Sequence, residues 1–479
     1  MAKGVTADSD SSSAFDKKPI QAFLEEVREV YRSDNRPWVV GYSGGKDSTA
    51  TLQLVWMALA ELSPEDRHKT VHVISSDTFV ETPVIVDHIN TNLDKINQAA
   101  KKSGMPFEAS MVVPEISNTF WVNLIGRGYP TPSNKFRWCT DRMKIQPANK
   151  FILDRVAEFG EVVMILGSRR GESASRDQVL KNHAIKGSRL RRHTTLTGAF
   201  VYSPIEEFTI DDVWTYLLQV KSPWGADNRT LLGMYRNAQS GECPLVVDTS
   251  TPSCGNSRFG CWVCTVVERD TSMESMVDNG EEWMQALLDF RNDLATHHDP
   301  QVKRKLRQYK RRNGRVTRKD DGTLIPGPYK PEVRCDLLRQ LLETQEEVRR
   351  TGPDPNITLI SDSELREIRR IWQQELQDWE DSVPKIYREV TGRDLEFVHD
   401  DVTNFTITDK KMLEVIANEH GVSGELVGRL LDLEREKHGM SRRARIFDRI
   451  NAILREDWYD DDQIRDLYAI ESKDGEAAK

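Results

Sequence analysis

Ser43-Gly44-Gly45-Lys46-Asp47-Ser48 lies between an apolar run, Trp38-Val39-Val40, and a helical pattern with Leu52, Val55, Leu59 and Leu62 on one face. Two glycines let backbone approach an anion, and free N–H groups at a helix start favour negative charge. The stretch is therefore a phosphate cradle. Its glycine spacing is not that of the Walker A loop. Lys46 would neutralise charge developing on a leaving pyrophosphate. A carboxylate at Asp47 repels phosphates; it makes sense as a helix cap or as part of a water-mediated Mg²⁺ shell, so Mg²⁺ is expected without an assignable ligand.

Three further groups carry chemistry. Asp77 opens Ser76-Asp77-Thr78-Phe79-Val80-Glu81-Thr82-Pro83 after a second apolar run. Gly167-Ser168-Arg169-Arg170-Gly171-Glu172-Ser173-Ala174-Ser175-Arg176 follows a fourth. Its three arginines suit phosphate or sulfate oxygens, which guanidinium binds bidentately, and Glu172 would hold one of them in place. The third group is cysteine. Cys139 stands among Lys135, Arg137, Arg142 and Lys144, and nearby positive charge lowers a thiol pKa, so Cys139 is expected either to carry or attack a persulfide or to be structural. Cys243, Cys254, Cys261 and Cys264 fall within 22 residues. Four such thiolates suit Zn²⁺ or a [4Fe–4S] cluster, and spacing alone does not decide between them. Cys335 stands apart and reads as structural.

The elements that must position these groups alternate. A helix over about Pro19–Tyr31 precedes the first strand. Strands are expected at Thr70–Ser75, Ser110–Val113 and Glu161–Leu166, with helices over Lys46–Leu62, Pro83–Lys102 and up to Phe159. Strands apolar on both faces belong to a parallel sheet covered by helices, with ligands at the strands' C-terminal ends. Thr209 with Asp212 three residues on reads as a helix N-cap. Between 303 and 319 ten of seventeen residues are basic and none is acidic, against a net charge of −9 for the 479-residue chain. Charge this dense, with Tyr309 interleaved, points to nucleic acid more than to a solvated helix face. Gly322 to Pro331 reads as a linker. Beyond it come helices over Arg334–Arg350, Asp362–Val390 (split or kinked by Pro384), Lys410–Glu419, Ser423–His438 and Ser441–Arg455. The expected division is a disordered tail to 18, a nucleotide domain over 19–240, a cysteine and basic segment over 241–330, a helical domain over 331–465, and a second tail. No apolar run reaches eighteen residues, and the first sixteen lack an apolar core, so a cytoplasmic protein without membrane span or secretory signal is expected.

The Ser43–Ser48 loop resembles that of the PP-loop ATP-pyrophosphatase superfamily. The segments at Asp77, Gly167–Arg176 and Asp212–Trp214 resemble its sulfonucleotide (PAPS) reductase-like branch. The resemblance implies an α/β, doubly wound, mostly parallel sheet of the adenine-nucleotide alpha hydrolase-like type, with a cysteine-rich insertion and an α-helical C-terminal region. It implies ATP on Ser43, Gly44, Gly45, Lys46, Asp47, Ser48 and Gly167, with Asp77, Arg169 and Arg170 orienting substrate. The chain departs from true reductases in lacking a Glu-Cys-Gly-[Leu/Ile]-His motif and a paired Cys-Cys at 139. The whole layout is similar to DndC-type sulfurtransferases of the bacterial DNA phosphorothioation (Dnd) system, over residues 19 to about 460. That implies an ATP pyrophosphatase and sulfurtransferase acting on DNA, a [4Fe–4S] cluster on the quartet, and Cys139 in a sulfur relay. The implied partners are a cysteine desulfurase and the other phosphorothioation subunits, including an SMC-like ATPase. A sulfonucleotide reductase, a tRNA thiolase, and a non-catalytic DNA-binding scaffold with structural zinc remain alternatives.

Overall fold

The computed structural model describes residues 13–171, 183, 185–237, 260–396, 405–437, 445–459 and 461–467. The chain divides into two units: 1–115 with 134–291, and 116–133 with 292–479.

The first unit is built on a six-stranded sheet, β1 (Trp38–Gly41), β2 (Val71–Ser76), β3 (Phe107–Val112), β4 (Val162–Ile165), β5 (Arg191–Arg192) and β6 (Ala199–Tyr202). The order is β3-β2-β1-β4-β6-β5, parallel except for β5, which pairs antiparallel with β6. This is the adenine-nucleotide alpha hydrolase-like architecture that the sequence leads one to expect, with a helical C-terminal region in the second unit. Strand alternation sorts the core into two layers. Trp38, Val40, Val71, Val73, Val163 and Ile165 pack on one side, and Val39, Ile74, Val112 and Val162 on the other. Each large apolar side chain so buried contributes about 1.5–3 kcal/mol.

Around the sheet lie α1 (Ile20–Arg32), α2 (Lys46–Ala60), α3 (Pro83–Ser103), α4 (Gln146–Phe159), α5 (Ile210–Gln219), α6 (Asn228–Asn237), α7 (Thr271–Asp278) and α8 (Gln285–Thr296), the last running into the second unit. Pro83 occupies the first turn of α3, where its missing N–H costs nothing, and Gly104 ends that helix in the left-handed conformation. The capping box at Thr209 and Asp212 forms in both directions. The Asp212 carboxylate also accepts the Ser13 hydroxyl at 2.5 Å and the Ala14 N–H at 3.0 Å. The third strand begins at Phe107, three residues before the expected position, and β5 has no expected counterpart because two arginines carry no strand pattern.

In the second unit α9 (Pro300–Leu306) precedes a paired region up to Tyr329. Then follow α10 (Pro331–Thr351), α11 (Asp362–Glu375), α12 (Ser382–Thr391), α13 (Ile407–Glu419), α14 (Gly424–Lys437), α15 (Ile446–Leu454) and α16 (Asp461–Leu467). The expected helix around Pro384 is split, ending at Glu375 and restarting at Ser382. Residues 116–133 join this unit through buried bonds. The indole of Trp121 donates to the Leu359 carbonyl at 2.6 Å, that of Trp372 to Ile125 at 3.1 Å, and the Arg334 guanidinium to Gly126 and Tyr329 carbonyls at 3.0 and 2.9 Å. The stretch read as a linker is packed instead, with Gly327 and Tyr329 buried, because it pairs back onto the basic segment. Among the described residues no helix is long and apolar enough to cross a membrane.

Replacing Asp212 by Ala removes the acceptor for Ser13, Ala14 and Thr209 while keeping the fold's apolar packing. Unfolding in urea should show a loss on the order of 2 kcal/mol. An unchanged midpoint would show that the helix start is held by Thr209 alone.

Candidate functional site

The candidate site forms at the C-terminal edge of the sheet, where the loops after β1, β2 and β4 emerge. The first loop is closed on itself. The Ser43 N–H donates to the Ser48 hydroxyl at 3.1 Å, and that hydroxyl donates to the Gly45 carbonyl at 3.0 Å. Gly44 has φ +71°, and a Cβ there would meet Ile89 at 2.9 Å, so glycine is required twice over. Helix α2 begins at Lys46, and no side chain caps its first turn. Asp47 therefore does not serve as the cap that the sequence allows for.

Asp47 instead sits between two cations. Its Oδ2 is 2.9 Å from Lys46 Nζ, and its Oδ1 accepts from Arg169 Nε at 2.6 Å. Arg169 is 5% exposed, so this pair is drawn out of water. Gly167 makes it possible, since a Cβ there would stand 2.9 Å from the Asp47 backbone. The two arginines predicted to act together are divided. Arg170 points outward, pairing with Glu206 at 2.8 Å, and Arg191 shares that carboxylate at 2.7 Å. Glu206 plays the positioning part expected of Glu172, which with Arg176 lies outside the described residues.

Tyr235, from α6, is a site residue that sequence reasoning missed. The Lys46 N–H donates to its hydroxyl at 3.3 Å, Lys46 Nζ lies 5.5 Å from its ring, and Trp214 packs edge-on at 5.2 Å. The hydroxyl thus uses a loop N–H that a phosphate oxygen would accept from. Nothing local in the sequence signals a contact across 189 positions.

Asp77 shapes the second loop. Its carboxylate accepts the Phe79 N–H at 2.8 Å and holds Phe79 at φ +62°, a left-handed turn unusual for an aromatic residue. The turn lays Val80–Thr82 alongside the C-x-x-C segment. The Trp262 N–H donates to Val80 O at 3.0 Å, Glu81 forms a β-bridge with Cys261, and the Thr82 hydroxyl donates to Gly260 O at 3.4 Å. Thr78 Oγ1 lies 3.5 Å from Cys261 Sγ. The C-x-x-C turn closes through Cys264 N–H to Cys261 O at 3.0 Å. The Arg291 guanidinium, fully buried, donates to the Cys264 carbonyl at 2.9 Å.

Electrostatics link Cys139 to this pair. Burial, and then the charge of Cys264, raise the Cys139 thiol pKa. Burial pushes Cys261 up to about 11, against the opposing pull of Lys144. Cys261, and then Glu81, hold the Lys144 ammonium charged; Lys144 Nζ is 3.1 Å from Glu81. Burial raises Asp77 and Glu81, with Lys144 opposing in both. The expectation that basic neighbours lower the Cys139 pKa is overturned. Lys144 is committed to Glu81, Arg137 reaches Asn134 at 2.9 Å, and desolvation dominates.

Of the expected quartet, Cys261 and Cys264 are brought together, while Cys243 and Cys254 lie outside the described residues. Among the described residues no group of three or more His, Cys, Asp or Glu side chains is disposed to hold a metal ion. The described half of the quartet offers two free thiols, Cys261 and Cys264.

The family model of the phosphoadenosine phosphosulfate reductase domain matches residues 37–266, a stretch that holds every strand of the sheet. An uncharacterised protein of Methanocaldococcus jannaschii is 25% identical over 242 residues, which are 50% of this chain and 39% of that protein. The chain thus spans well under half the length of that curated relative. Among solved structures, a phosphoadenylyl-sulfate reductase from Candida auris in a phosphate complex aligns over 46% of this chain and 89% of its own, at 13% identity and TM-score 0.30. A U34-tRNA thiolase from Methanococcus maripaludis with its [4Fe–4S] cluster aligns over 59% of this chain and 80% of its own, at 13% identity and TM-score 0.27. A Candida glabrata FMN adenylyltransferase with FMN and an ATP analogue aligns over 45% of this chain and 60% of its own, at 13% identity and TM-score 0.26.

Two substitutions probe the cradle, with inorganic pyrophosphate as the probe and thermal stabilisation as the readout. Gly167→Ala forces the β4 loop off Asp47 and should cost about 1–3 kcal/mol and most of the pyrophosphate shift. Tyr235→Phe frees the Lys46 N–H and should tighten pyrophosphate by a few-fold, as expected for one hydrogen bond of about 0.5–1.5 kcal/mol. Weaker binding in Tyr235→Phe would make the hydroxyl a ligand rather than an occupant of the site.

Proposed function

We propose that this protein is an ATP-dependent sulfurtransferase that places sulfur in the DNA backbone, a DndC-type subunit of a phosphorothioation system. The observation that supports this reading is the meeting, at one sheet edge, of a phosphate cradle with a thiol pair docked on the adjacent loop.

The loop Ser43–Ser48 would hold the ATP phosphates, with Mg²⁺ bound to them. Lys46 would neutralise the charge that develops on the departing pyrophosphate. Arg169 fixes Asp47 and, with Gly167, the height of the β4 loop over the cradle. A non-bridging phosphodiester oxygen is a poor leaving group. Attack of that oxygen on the α-phosphorus of ATP releases pyrophosphate and converts the oxygen into the better leaving group AMP. The outer sulfur of a Cys139 persulfide then attacks the activated phosphorus and AMP departs; a second thiol attacks the Cys139 sulfur, which breaks the S–S bond, releases the phosphorothioate and leaves a disulfide that an external thiol reductant reopens. Cys139 is the thiol assigned to the relay, loaded as a persulfide by a cysteine desulfurase. Asp77 shapes the loop that seats Cys261, and Arg170, exposed and tied to Glu206, is available to orient substrate oxygens. A [4Fe–4S] cluster, with zinc as the alternative, would be held by Cys243, Cys254, Cys261 and Cys264, where it would supply redox or sulfide chemistry. The remaining phosphorothioation subunits, including an SMC-like ATPase, complete the assembly in the cytoplasm.

The reading is tested by its products. Incubation with ATP and DNA should yield AMP and pyrophosphate, and Lys46→Ala should lower the rate at least 100-fold, by roughly 3 kcal/mol of lost charge stabilisation. ADP with phosphate would sink the assignment, and sulfite release from a sulfonucleotide would transfer the site to reductase chemistry. Mass spectrometry of genomic DNA should find phosphorothioate linkages that disappear in Cys139→Ser and in Cys261→Ser. Persistence in Cys261→Ser would remove the quartet from the mechanism, and persistence in Cys139→Ser would remove the relay.

A further inference from the structure

The ten basic residues between 303 and 319 do not form one helix face. Lys303, Arg304 and Lys305 lie on α9, whose start is capped by Asp299. Arg307 ends that helix, and the others belong to two successive tight turns and their arms. In the first, the Arg311 N–H donates to Arg315 O at 2.8 Å around Gly314 at φ +72°. In the second, the Lys319 N–H donates to Thr323 O at 2.9 Å around Gly322 at φ +81°. Bridges at Lys310–Val316, Arg318–Leu324 and Arg307–Tyr329 tie the arms together. The first turn is fastened to the segment after α15, with the Asp457 N–H on Gly314 O and the Val316 N–H on the Asp457 carboxylate, both at 2.8 Å. These charges are therefore held on a folded platform.

The platform sorts its cations. Three are used internally: Arg307 is buried and donates to the Gly327 and Pro326 carbonyls, Lys310 pairs with Glu425 at 3.0 Å, and Arg312 pairs with Glu375 at 3.1 Å. Lys303, Arg304, Lys305, Arg311, Arg315 and Lys319 make no ion pair within 4 Å among the described residues. Five of these six are exposed, Lys303 being half-buried. They also crowd one another. Burial first, then Arg307 and Lys319, lower the Lys303 pKa, which places cations from α9 and the second turn within reach of each other. Asp320 and Asp321 stand beside Lys319 at the second turn; the remaining cations without an ion pair are like charges fixed side by side, which weaken the fold unless an anion meets them, and a regular row of phosphates is the anion that matches several at once.

We infer that α9 and the two turns form a docking platform for the phosphate backbone of duplex DNA, contacted by Lys303, Arg304, Lys305, Arg311, Arg315 and Lys319. The choice of DNA rests on the sulfur-transfer reading above; the platform itself does not. Contacts of this kind position a duplex without reading its sequence.

The experiment measures affinity of the full chain for a fluorescein-labelled DNA duplex over a series of salt concentrations. The outer variant is Arg311→Gln/Arg315→Gln/Lys319→Gln, and the inner control is Lys310→Gln/Arg312→Gln. The slope of log affinity against log salt should fall by about 0.9 for each phosphate contact removed in the outer variant. The inner control should keep the wild-type slope. Thermal melting of both variants separates lost contacts from lost folding. Equal slopes in the wild type and the folded outer variant, or tighter binding of an RNA duplex of the same length, overturn the inference. Failure of the sulfur-transfer reading is distinguishable, because it would appear as absent phosphorothioate with the salt behaviour intact.

Discussion

The contact between Asp47 and Arg169 is the constraint on which the rest of the candidate site depends. It joins the loop after β1 to the loop after β4, which lie 122 residues apart in the chain but on neighbouring strands of the sheet. The pair is nearly dry on the arginine side, so each charge relies on the other for solvation, and losing one partner would strand the other. It also resolves the problem of a carboxylate in a phosphate site. With Lys46 on one oxygen and Arg169 on the other, Asp47 is neutralised where it stands, and its role is to fix two cations rather than to meet an anion itself.

The second loop shows the same economy. Asp77 spends its carboxylate on one backbone N–H, and the left-handed turn so formed turns the chain against the C-x-x-C segment. Two backbone-level contacts then seat Cys261 beside Thr78, Glu81 and Lys144. The thiols are placed by main chain, which is less sensitive to side-chain substitution than a network of polar side chains. Burial raises the proton affinity of Cys261, and of Cys139 beside it, and so disfavours their thiolates.

What the sequence disclosed was local. The glycine loop, Pro83 at a helix start, the Thr209–Asp212 box and the break near Pro384 each depend on residues within a few positions, and each stands where expected. The pairing of Asp47 with Arg169, of Tyr235 with Lys46 and of Glu81 with Cys261 joins residues far apart in the chain that only the tertiary fold brings together. Charge density also hid structure. The arms around Arg311–Arg315 and Lys319–Thr323 carry too few apolar residues to show strand alternation, so a paired region read as a basic stretch followed by a linker. For the cysteines, the C-x-x-C spacing gave the turn, while the pKa of Cys139 depended on burial that no count of neighbouring lysines reveals.

The fixed basic platform also bears on the kinetics of encounter. Ten basic residues within seventeen positions sit in a chain whose formal net charge is −9, so the rest of the chain is more acidic than that total indicates. A polyanion is repelled by the acidic remainder of the chain and attracted at the platform. The long-range field then selects orientation before any contact forms, and collisions in the wrong pose separate quickly. At low ionic strength such a molecule would gain speed and discrimination together, and both would fade as the Debye length shortens.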